Sequence, residues 1–282
     1  METIIEAQNL SFKYPDGTQA LKNINFKIKK GERCAFIGSN GAGKSTLFLN
    51  LNGILIPTSG SLTVDQILVG DSKENLRKIR ENLGLVFQNP DDQLFAPTVM
   101  EDVAFGPMNM GLSKKEVDKR VEEALKRVGM EGSEEKVPHH LSGGQKKRIA
   151  IAGVLAMKPH IIAIDEPTAD LDPQGAIDIL KFLLDLNKEG ITIVITTHDV
   201  DLIPLFTKKV YVMHHGFIEA EGTPEEIFSD PSLVKKAHLR TPLISDLMYR
   251  LKNDGVNCKI KMTVKEAHNE LLQILGENIR DS

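Results

Sequence analysis

The chain has 282 residues, with 35 Lys and Arg against 39 Asp and Glu, which gives a formal net charge of −4 at pH 7. This balance excludes a strongly basic nucleic-acid-binding protein and argues against a polybasic membrane-surface protein. The length allows about two domains, 41% hydrophobic residues are enough for a sizeable core, and no apolar run approaches the ~18 residues that span a bilayer.

The first 37 residues are typical of β-structure. Apolar and polar residues alternate over 10–14 and again over 24–28, and turn residues lie between the two stretches. The alternation favours an inward position for Tyr14. The apolar run RCAFI at 33–37 then predicts a short buried strand that leads into a loop.

That loop carries a phosphate-binding pattern. Residues 38–45 are GSNGAGKS and match G-x-x-x-x-G-K-[ST] between a predicted strand and a predicted helix. Glycines let successive N–H groups turn inward around an anion, and the following helix adds its positive end. Lys44 supplies charge for the β- and γ-phosphates, and Ser45 supplies a hydroxyl for Mg²⁺. An ordinary Gly-rich turn is the alternative. The candidate phosphate-binding residues are Gly38, Asn40, Gly41, Ala42, Gly43, Lys44, Ser45 and Thr46.

Helical and strand-like stretches alternate after the loop. Apolar spacing predicts a helix that includes Ile54, followed by a strand-rich stretch at 60–87. A helical insert within an α/β core is predicted at 88–153, where KKEVDKRVEEALKRVGM (114–130) has one apolar face. Residues 154–225 return to the βαβ rhythm of a parallel sheet.

Two of the later strands end in polar residues. The run IIAI at 161–164 leads directly to Asp165 and Glu166, and ITIVITT at 191–197 ends at His198. Because α/β sheets bind ligands at the carboxyl ends of their strands, Asp165 is a candidate Mg²⁺ ligand and Glu166 a candidate base for water. His198 would reach the same phosphates. The alternative for Asp165 and Glu166 is a strand that simply ends in solvated charge, and the alternative for His198 is a structural role.

The segment LSGGQ at 141–145 precedes a predicted buried helix, and Ser142 is its expected N-cap. Its two glycines allow an anion to approach the helix end closely. Together with the phosphate loop, the Asp-Glu strand end and the later His, the segment resembles the ATP-binding subunit of ABC transporters over residues 1–225. The adjoining basic run KKR is interpreted as solvated or facing a partner.

The resemblance implies an α/β, ABC-type P-loop NTPase. Its RecA-like core has a mainly parallel sheet, with an antiparallel β subdomain and a helical insert at about 88–153. The ATP-binding domain would occupy 1–225, and a small C-terminal extension at 226–282 would support contact between two ATPase subunits. The resemblance also implies hydrolysis of ATP with Mg²⁺ and a head-to-tail homo- or heterodimer, in which the signature of one subunit seals ATP on the other. The signature residues are Ser142, Gly143, Gly144 and Gln145.

The resemblance assigns roles to three further residues. Tyr14 would stack on adenine, which is weighed evenly against its inward strand position. Gln88 would bind Mg²⁺, take part in catalysis and transmit motion to a membrane partner. Asp172 would link the two nucleotide sites across the dimer.

The segment QNPDDQLFAPTVMEDVAFGP at 88–107 looks like the energy-coupling factor subclass, importers of vitamins and of cobalt or nickel ions. There it forms a groove for short helices of a transmembrane partner. Asp91 and Asp92 would attract arginines in that groove, and a solvated acidic turn is the alternative. The stretches GQKKRIAIAGVLAMKP and THDVDLIPL favour the cobalt-import, CbiO-like branch. The implied partners are a like ATPase subunit, a transmembrane coupling subunit and a substrate-binding membrane subunit, without nucleic acid. The implied location is peripheral, on the cytoplasmic face of the cell membrane.

Three other functions stay open. They are an importer subunit that works with an extracytoplasmic solute-binding protein, a non-transport ABC ATPase acting on ribosomes or DNA, and a scaffold with negligible turnover. Non-transport members usually carry tandem cassettes or long coiled-coil insertions, and this chain has one cassette and no heptad run. A scaffold needs no base, so Glu166 and His198 argue against it. Only the match at 88–107 separates the energy-coupling factor subclass from the first alternative, an importer that uses a solute-binding protein.

Overall fold

The computed structural model describes residues 2–280, so the predicted domain ends at Met1 and Ser282 lie outside the described residues. The strands are β1 (Thr3–Lys13), β2 (Gln19–Lys29), β3 (Arg33–Ile37), β4 (Ser59–Val64), β5 (Ile67–Leu68), β6 (Leu83–Val86), β7 (Ile161–Asp165), β8 (Thr192–Thr197), β9 (Lys209–His214) and β10 (Phe217–Gly222). The helices are α1 (Lys44–Leu51), α2 (Lys73–Asn82), α3 (Val99–Asn109), α4 (Lys114–Arg127), α5 (Gly143–Leu155), α6 (Pro173–Lys188), α7 (Ile203–Phe206), α8 (Pro224–Phe228), α9 (Pro231–Lys236), α10 (Leu243–Asn253) and α11 (Val264–Arg280).

A six-stranded sheet with the order β10-β9-β3-β8-β7-β6 forms the centre of the fold, and only its β9–β10 pair is antiparallel. Strands β7 and β8 are buried throughout, as expected for parallel strands with both faces covered. Strand β8 lies between β3 and β7, so that Ile37 pairs with Thr197 and Asp165 pairs with Thr196. The carboxyl ends of three strands therefore meet at one edge, which confirms the mainly parallel α/β core.

A second, antiparallel sheet with the order β2-β1-β4-β5 packs on this core. The two sheets share one hydrophobic cluster, in which the Phe26 ring lies edge-on to Phe36 at 5.2 Å and Phe36 stacks on Tyr211 at 4.7 Å. Aromatic pairs in these arrangements add to the stabilisation from buried area. The predicted antiparallel β layer is confirmed.

The prediction that 60–87 is strand-rich is wrong over 73–82, which form α2. Ser72 caps this helix, because its hydroxyl accepts a hydrogen bond from the backbone N–H of Asn75 at 3.1 Å. Ile79 is the buried residue of the helix. The sequence KENLRKIREN therefore lacks the broad apolar stripe by which a surface helix is recognised.

Helices α3, α4 and α5 pack against one another next to the parallel sheet. The apolar face predicted for 114–130 is buried in α4 and beyond it, which confirms the helix. Its buried residues are Val117, Val121, Ala124, Leu125 and Val128. Helix α1 is shorter than its apolar spacing predicts, since Ile54 lies past its end and 47% of its surface is exposed. The helical-insert boundaries at 88–153 stay a prediction.

The C-terminal segment is fastened to the core near the end of β8. Asp201 accepts a hydrogen bond from the backbone N–H of Leu243, at the start of α10, at 2.8 Å. Helices α10 and α11 pack around Met248, Cys258 and Ala267. Helix α8 crosses the predicted division at 225/226, and that division stays a prediction. Between residues 2 and 280, no helix is both long enough and apolar enough to cross a bilayer.

Candidate functional site

The loop between β3 and α1 leaves the N-terminus of α1 uncapped. Its N-cap residue is Gly43, at φ 103°, and within residues 2–280 no side chain caps this end of the helix. A Cβ at Gly43 would lie 2.6 Å from the carbonyl oxygen of Ala20, so this position requires glycine. The N–H groups of the first turn can therefore bind an anion, and the helix dipole favours negative charge there.

Lys44 lies folded over the same loop. Its Nζ donates hydrogen bonds to the carbonyl oxygens of Gly38 at 2.8 Å and Ser39 at 3.2 Å. The side chain is buried, which lowers the pKa of Lys44, while the carboxylates of Glu166 and Asp165 act in the opposite direction. The ammonium is thus held by carbonyls that a phosphate can replace, opposite two acidic groups.

The strand ends hold the acidic groups in a hydrogen-bonded set. The Thr196 hydroxyl donates to the carboxylate of Asp165 and accepts from the backbone N–H of Glu166 at 3.0 Å. His198 Nδ1 lies 2.8 Å from Glu166 Oε1. Glu166 has a φ of 48°, in the left-handed region that non-glycine residues rarely adopt and that occurs at functional sites. Sequence reasoning missed Thr196, for which the only signal was a threonine pair at the end of an apolar run.

Lys44, Asp165 and Glu166 line one cavity of about 500 Å³, within the usual size of a small-molecule site, whereas Thr196 and His198 are not among its lining residues. Its lining residues are Thr18, Gln19, Ala20, Lys22, Asn40, Gly41, Ala42, Gly43, Lys44, Ser45, Thr46, Gln88, Asp165, Glu166, His215 and Gly216. The cavity includes every candidate phosphate-binding residue except Gly38. Sequence reasoning missed the rim at 18–22 and the β9–β10 turn at 215–216. Long-range contacts bring that turn to the loop, where Gly216 N–H donates to the Ala42 carbonyl at 3.1 Å.

Tyr14 lies beside this cavity, one residue after β1. Its hydroxyl is 3.0 Å from Thr46 Oγ1, and its ring lies edge-on to Phe12 with centroids 4.9 Å apart. The side chain is half-buried. The position therefore combines packing against a strand residue with contact to the helix of the phosphate loop.

The candidate ligands for Mg²⁺ line the cavity together. Ser45, Gln88 and Asp165 offer a hydroxyl, an amide oxygen and a carboxylate, the hard oxygen donors that Mg²⁺ takes alongside substrate phosphates. The residues present therefore fit this ion. The backbone carbonyl of Gln88 accepts a hydrogen bond from Lys147 Nζ at 2.8 Å.

The interpretation of the basic run KKR as solvated or facing a partner is wrong for Lys147. Only 1% of its surface is exposed, because it lies on the inner face of α5. Burial lowers the pKa of Lys147 to about 8, against the pull of nearby carboxylates, Asp165 first among them. A basic triplet in sequence gives no sign that one of its members points inward.

The signature lies outside the cavity. Ser142 caps α5 as predicted, since its hydroxyl accepts from the N–H of Gln145 at 3.4 Å and the Gln145 side chain accepts from the N–H of Ser142 at 3.1 Å. Ser142, Gly143 and Gln145 are exposed, and Gly144 is half-buried. Asp172 is also exposed and caps α6. One chain by itself therefore does not bring the signature to its own phosphate loop.

A second cavity, of about 590 Å³, lies between α2, β6, α3 and α5. Phe95 and Phe105 stand at its surface, 62% and 51% exposed, with ring centroids 4.9 Å apart. Asp91 and Asp92 do not line it. Asp91 binds Lys146 Nζ at 2.7 Å, and this hydrogen bond lowers the pKa of the Asp91 carboxyl.

Comparison with known proteins agrees with this geometry. A family model described as ABC transporter matches residues 21–169. The energy-coupling factor transporter ATP-binding protein EcfA of Methanocaldococcus jannaschii is 58% identical over 275 residues, which cover 97% of this chain and 99% of that protein. The protein of the same name from Methanococcus maripaludis is 55% identical and covers 96% of this chain and 98% of its own length.

Solved structures are also similar over most of the chain. The structure of CbiO1 from Clostridium perfringens, described as part of the ABC transporter complex CbiONQ, is 49% identical. It covers 88% of this chain and 100% of that chain, with a TM-score of 0.75. A dimeric ATP-binding cassette in a post-hydrolysis state, bound to ADP and Pi, is 34% identical. It covers 78% of this chain and 98% of that chain, with a TM-score of 0.71.

Proposed function

The chain belongs to the ABC transporter family as an ATP-binding subunit of the energy-coupling factor type, and we propose that its hydrolysis of ATP drives import of a cobalt ion through a transmembrane partner. One observation carries the proposal: the phosphate loop, Gln88, Asp165 and Glu166 line a single cavity. The likeness to CbiO1 and the resemblance to the cobalt-import branch support cobalt as the solute. Nickel or a vitamin is the alternative.

In this proposal, residues 38–46 bind the phosphates of ATP through backbone N–H groups and Lys44. Glu166 accepts a proton from the attacking water, and His198, which lies 2.8 Å from its carboxylate, orients Glu166 and reaches toward the γ-phosphate. Ser45, Gln88 and Asp165 would hold Mg²⁺, which would neutralise phosphate charge.

Two copies of the cassette close around ATP. The signature of one subunit caps the γ-phosphate held by the phosphate loop of the other, so ATP favours the closed dimer because this contact exists only there. Shifting an equilibrium from 1:99 to 99:1 takes about 5.5 kcal/mol. A few charge-assisted hydrogen bonds at ~1.5–3 kcal/mol each supply energy on that scale. Asp172, next to the interface, links the two sites, and the segment after 225 supports the dimer.

The second cavity is the proposed seat for a short helix of the transmembrane partner. It has exposed aromatic rings at Phe95 and Phe105 and carries Arg77, Arg80 and Glu81 on its α2 side. An apolar cleft with charges at one side fits an amphipathic helix. Asp91 and Asp92 lie outside the cavity on the same segment, where they would meet arginines at its edge. The chain would then sit peripherally at the cytoplasmic face of the membrane.

Hydrolysis and transport need separate assays. The first is release of phosphate from Mg-ATP by the purified chain, with the Glu166→Gln variant as the matched control, and turnover in the wild type alone is expected. The absence of turnover at concentrations that favour dimers would contradict the assignment of these residues.

Transport is tested with the complex that co-purifies from membranes. Its subunits, identified by mass, are reconstituted into vesicles with ATP on the cassette side, and uptake of labelled cobalt, nickel and a vitamin is compared. Cobalt uptake that needs Glu166 supports the proposal. Uptake of a vitamin alone, dependence on a soluble binding protein, or co-purification with ribosomes or DNA would replace it.

A further inference from the structure

Two side chains, Lys147 and Gln93, connect the segment that carries Gln88 to α5, the helix that begins in the signature. Lys147 of α5 donates from Nζ to the carbonyl oxygens of Phe87 at 3.1 Å and Gln88 at 2.8 Å. Gln93 makes the second link, because its amide donates to the Ala150 carbonyl at 3.2 Å and accepts from the Phe87 N–H at 3.1 Å. Three hydrogen bonds thus join residues 87–93 to one turn of α5, and a fourth ties Gln93 back to Phe87.

A third link lies at the surface. Lys146, the residue before Lys147, pairs with Asp91 of the same segment at 2.7 Å. This pair is more exposed than the links made by Lys147 and Gln93, and exposed pairs contribute little. The two inner links therefore carry the attachment of residues 87–93 to α5.

Lys147 is an unusual choice for a buried position. Only 1% of its surface is exposed, and burial of a charged group is unfavourable unless the group is fully bonded. Its partners are main-chain carbonyls at the end of β6, where the strand ladder has stopped and those oxygens need other donors. A neutral side chain of the same length would fill the space but leave these carbonyls without a donor.

In the proposed dimer, Gln88 and the N-terminus of α5 would face different nucleotides. Gln88 lines the cavity of its own phosphate loop, and Ser142, at the N-terminus of α5, is exposed outside that cavity. We propose that Lys147 and Gln93 are positioning residues that make the Gln88 segment move with α5, so that engagement of the signature by one nucleotide sets Gln88 at the other. The inference rests on the proposed function, since it needs Ser142 to face the partner's ATP.

If residues 87–93 and α5 move together, the loss of a link should affect kcat and KM differently. ATP binding to the open monomer uses residues 38–46, which neither link touches, so the KM for ATP should hardly change when a link is cut. The setting of Gln88 is needed only in the closed, hydrolysing dimer, so kcat should fall. A loss of general stability would instead lower the amount of active protein and the melting temperature together.

The experiment compares Lys147→Met and Gln93→Leu with Lys126→Met, which removes an exposed lysine from α4. We expect each link variant to lower kcat by about tenfold with the KM within about twofold, and the control to match the wild type. Amide hydrogen exchange should rise at residues 88–92 in both link variants, while α5 stays protected.

Each outcome decides the question. If Lys147→Met does not fold, Gln93→Leu carries the test, because it replaces a neutral, half-buried side chain rather than a fully buried ammonium. If both link variants hydrolyse ATP like the wild type, or if exchange rises over α5 as much as over 88–92, the positioning role is wrong. If the wild type itself does not hydrolyse ATP, the proposed function fails, and the exchange pattern still decides whether the two elements form one unit.

Discussion

The N-termini of α1 and α5 both lie in glycine-rich sequence, but they differ in how their backbone N–H groups are capped. Helix α1 begins after Gly43 without a side-chain cap, opens into a cavity and has Lys44 folded beside it. Helix α5 is capped by Ser142 and Gln145, which bond to each other's backbone, and its end is exposed. The first end is open to an anion, whereas at the second end the Gln145 N–H is already bonded to Ser142 of its own chain.

This difference makes the proposed clamp conditional. ATP can enter the α1 site of a single chain at once. A phosphate that meets α5 must displace part of its cap, which costs about 1 kcal/mol, and must arrive already held by another subunit. New charge-assisted hydrogen bonds at ~1.5–3 kcal/mol each exceed that cost. The N-terminus of α5 therefore responds to nucleotide only in a dimer, as a switch requires.

The largest expected effect comes from a variant that leaves ATP uncleaved between the α1 end of one subunit and the α5 end of the other. Glu166→Gln removes the proposed base but keeps the shape of the side chain, so kcat should fall by roughly 10²–10⁴ and ATP should hold the dimer closed. Phosphate release and size-exclusion chromatography in Mg-ATP measure the two results. Glu123→Gln, an exposed change on α4, is the control. Wild-type turnover in Glu166→Gln would assign the base to another residue.

The next largest effect tests ATP binding at the α1 end alone. Lys44→Ala removes an ammonium that now bonds two loop carbonyls and would bond phosphates. Two charge-assisted bonds correspond to about 3 kcal/mol or more, so ATP affinity should fall roughly a hundredfold or further. Calorimetric titration with ATP measures the loss, and Lys30→Ala, at an exposed position, should bind normally. Unchanged affinity in Lys44→Ala would remove the phosphate loop from the proposal.

The sequence predicted the parts of the site in which spacing along the chain fixes geometry. The loop at 38–45, the Asp165–Glu166 strand end and the Ser142 cap all depend on neighbouring residues. Thr196 and Lys147 were missed because their importance comes from a neighbouring strand and from a helix turned toward the sheet. Such tertiary positions leave no local period or motif to recognise.

The same limit applies to the fold. Alternation predicted β1 and β2, and short β-branched runs predicted β7 and β8, because burial on one or both faces is written into adjacent residues. Helix α2 was missed because it buries Ile79 and leaves most of its surface charged. Its existence depends on the Ser72 cap and on packing that the segment alone does not specify.

The exposed end is tested by Ser142→Arg. A large cation there should block closure of the dimer, so ATPase activity should fall about tenfold or more while ATP binding to the monomer is unchanged. Ser113→Arg is a closely matched control, because Ser113 caps α4 with the same 3.4 Å hydrogen bond as Ser142 makes on α5. It loses a cap without touching the signature. Equal losses in both variants would mean that Ser142 acts only as a helix cap.

The smallest effect concerns Tyr14, whose ring either stacks on adenine or only packs beside Phe12. If the ring stacks, Tyr14→Ala should weaken ATP binding by roughly two- to tenfold, since such contacts are worth about 0.5–1.5 kcal/mol. Tyr14→Phe keeps the ring and loses only the contact with Thr46, so it should stay near wild type. Inorganic tripolyphosphate has no base. Its inhibition constant, measured by competition with a labelled nucleotide, should therefore be equal in all three proteins. A matching loss for tripolyphosphate in Tyr14→Ala would show instead that Tyr14 supports α1 and the phosphate loop rather than the base.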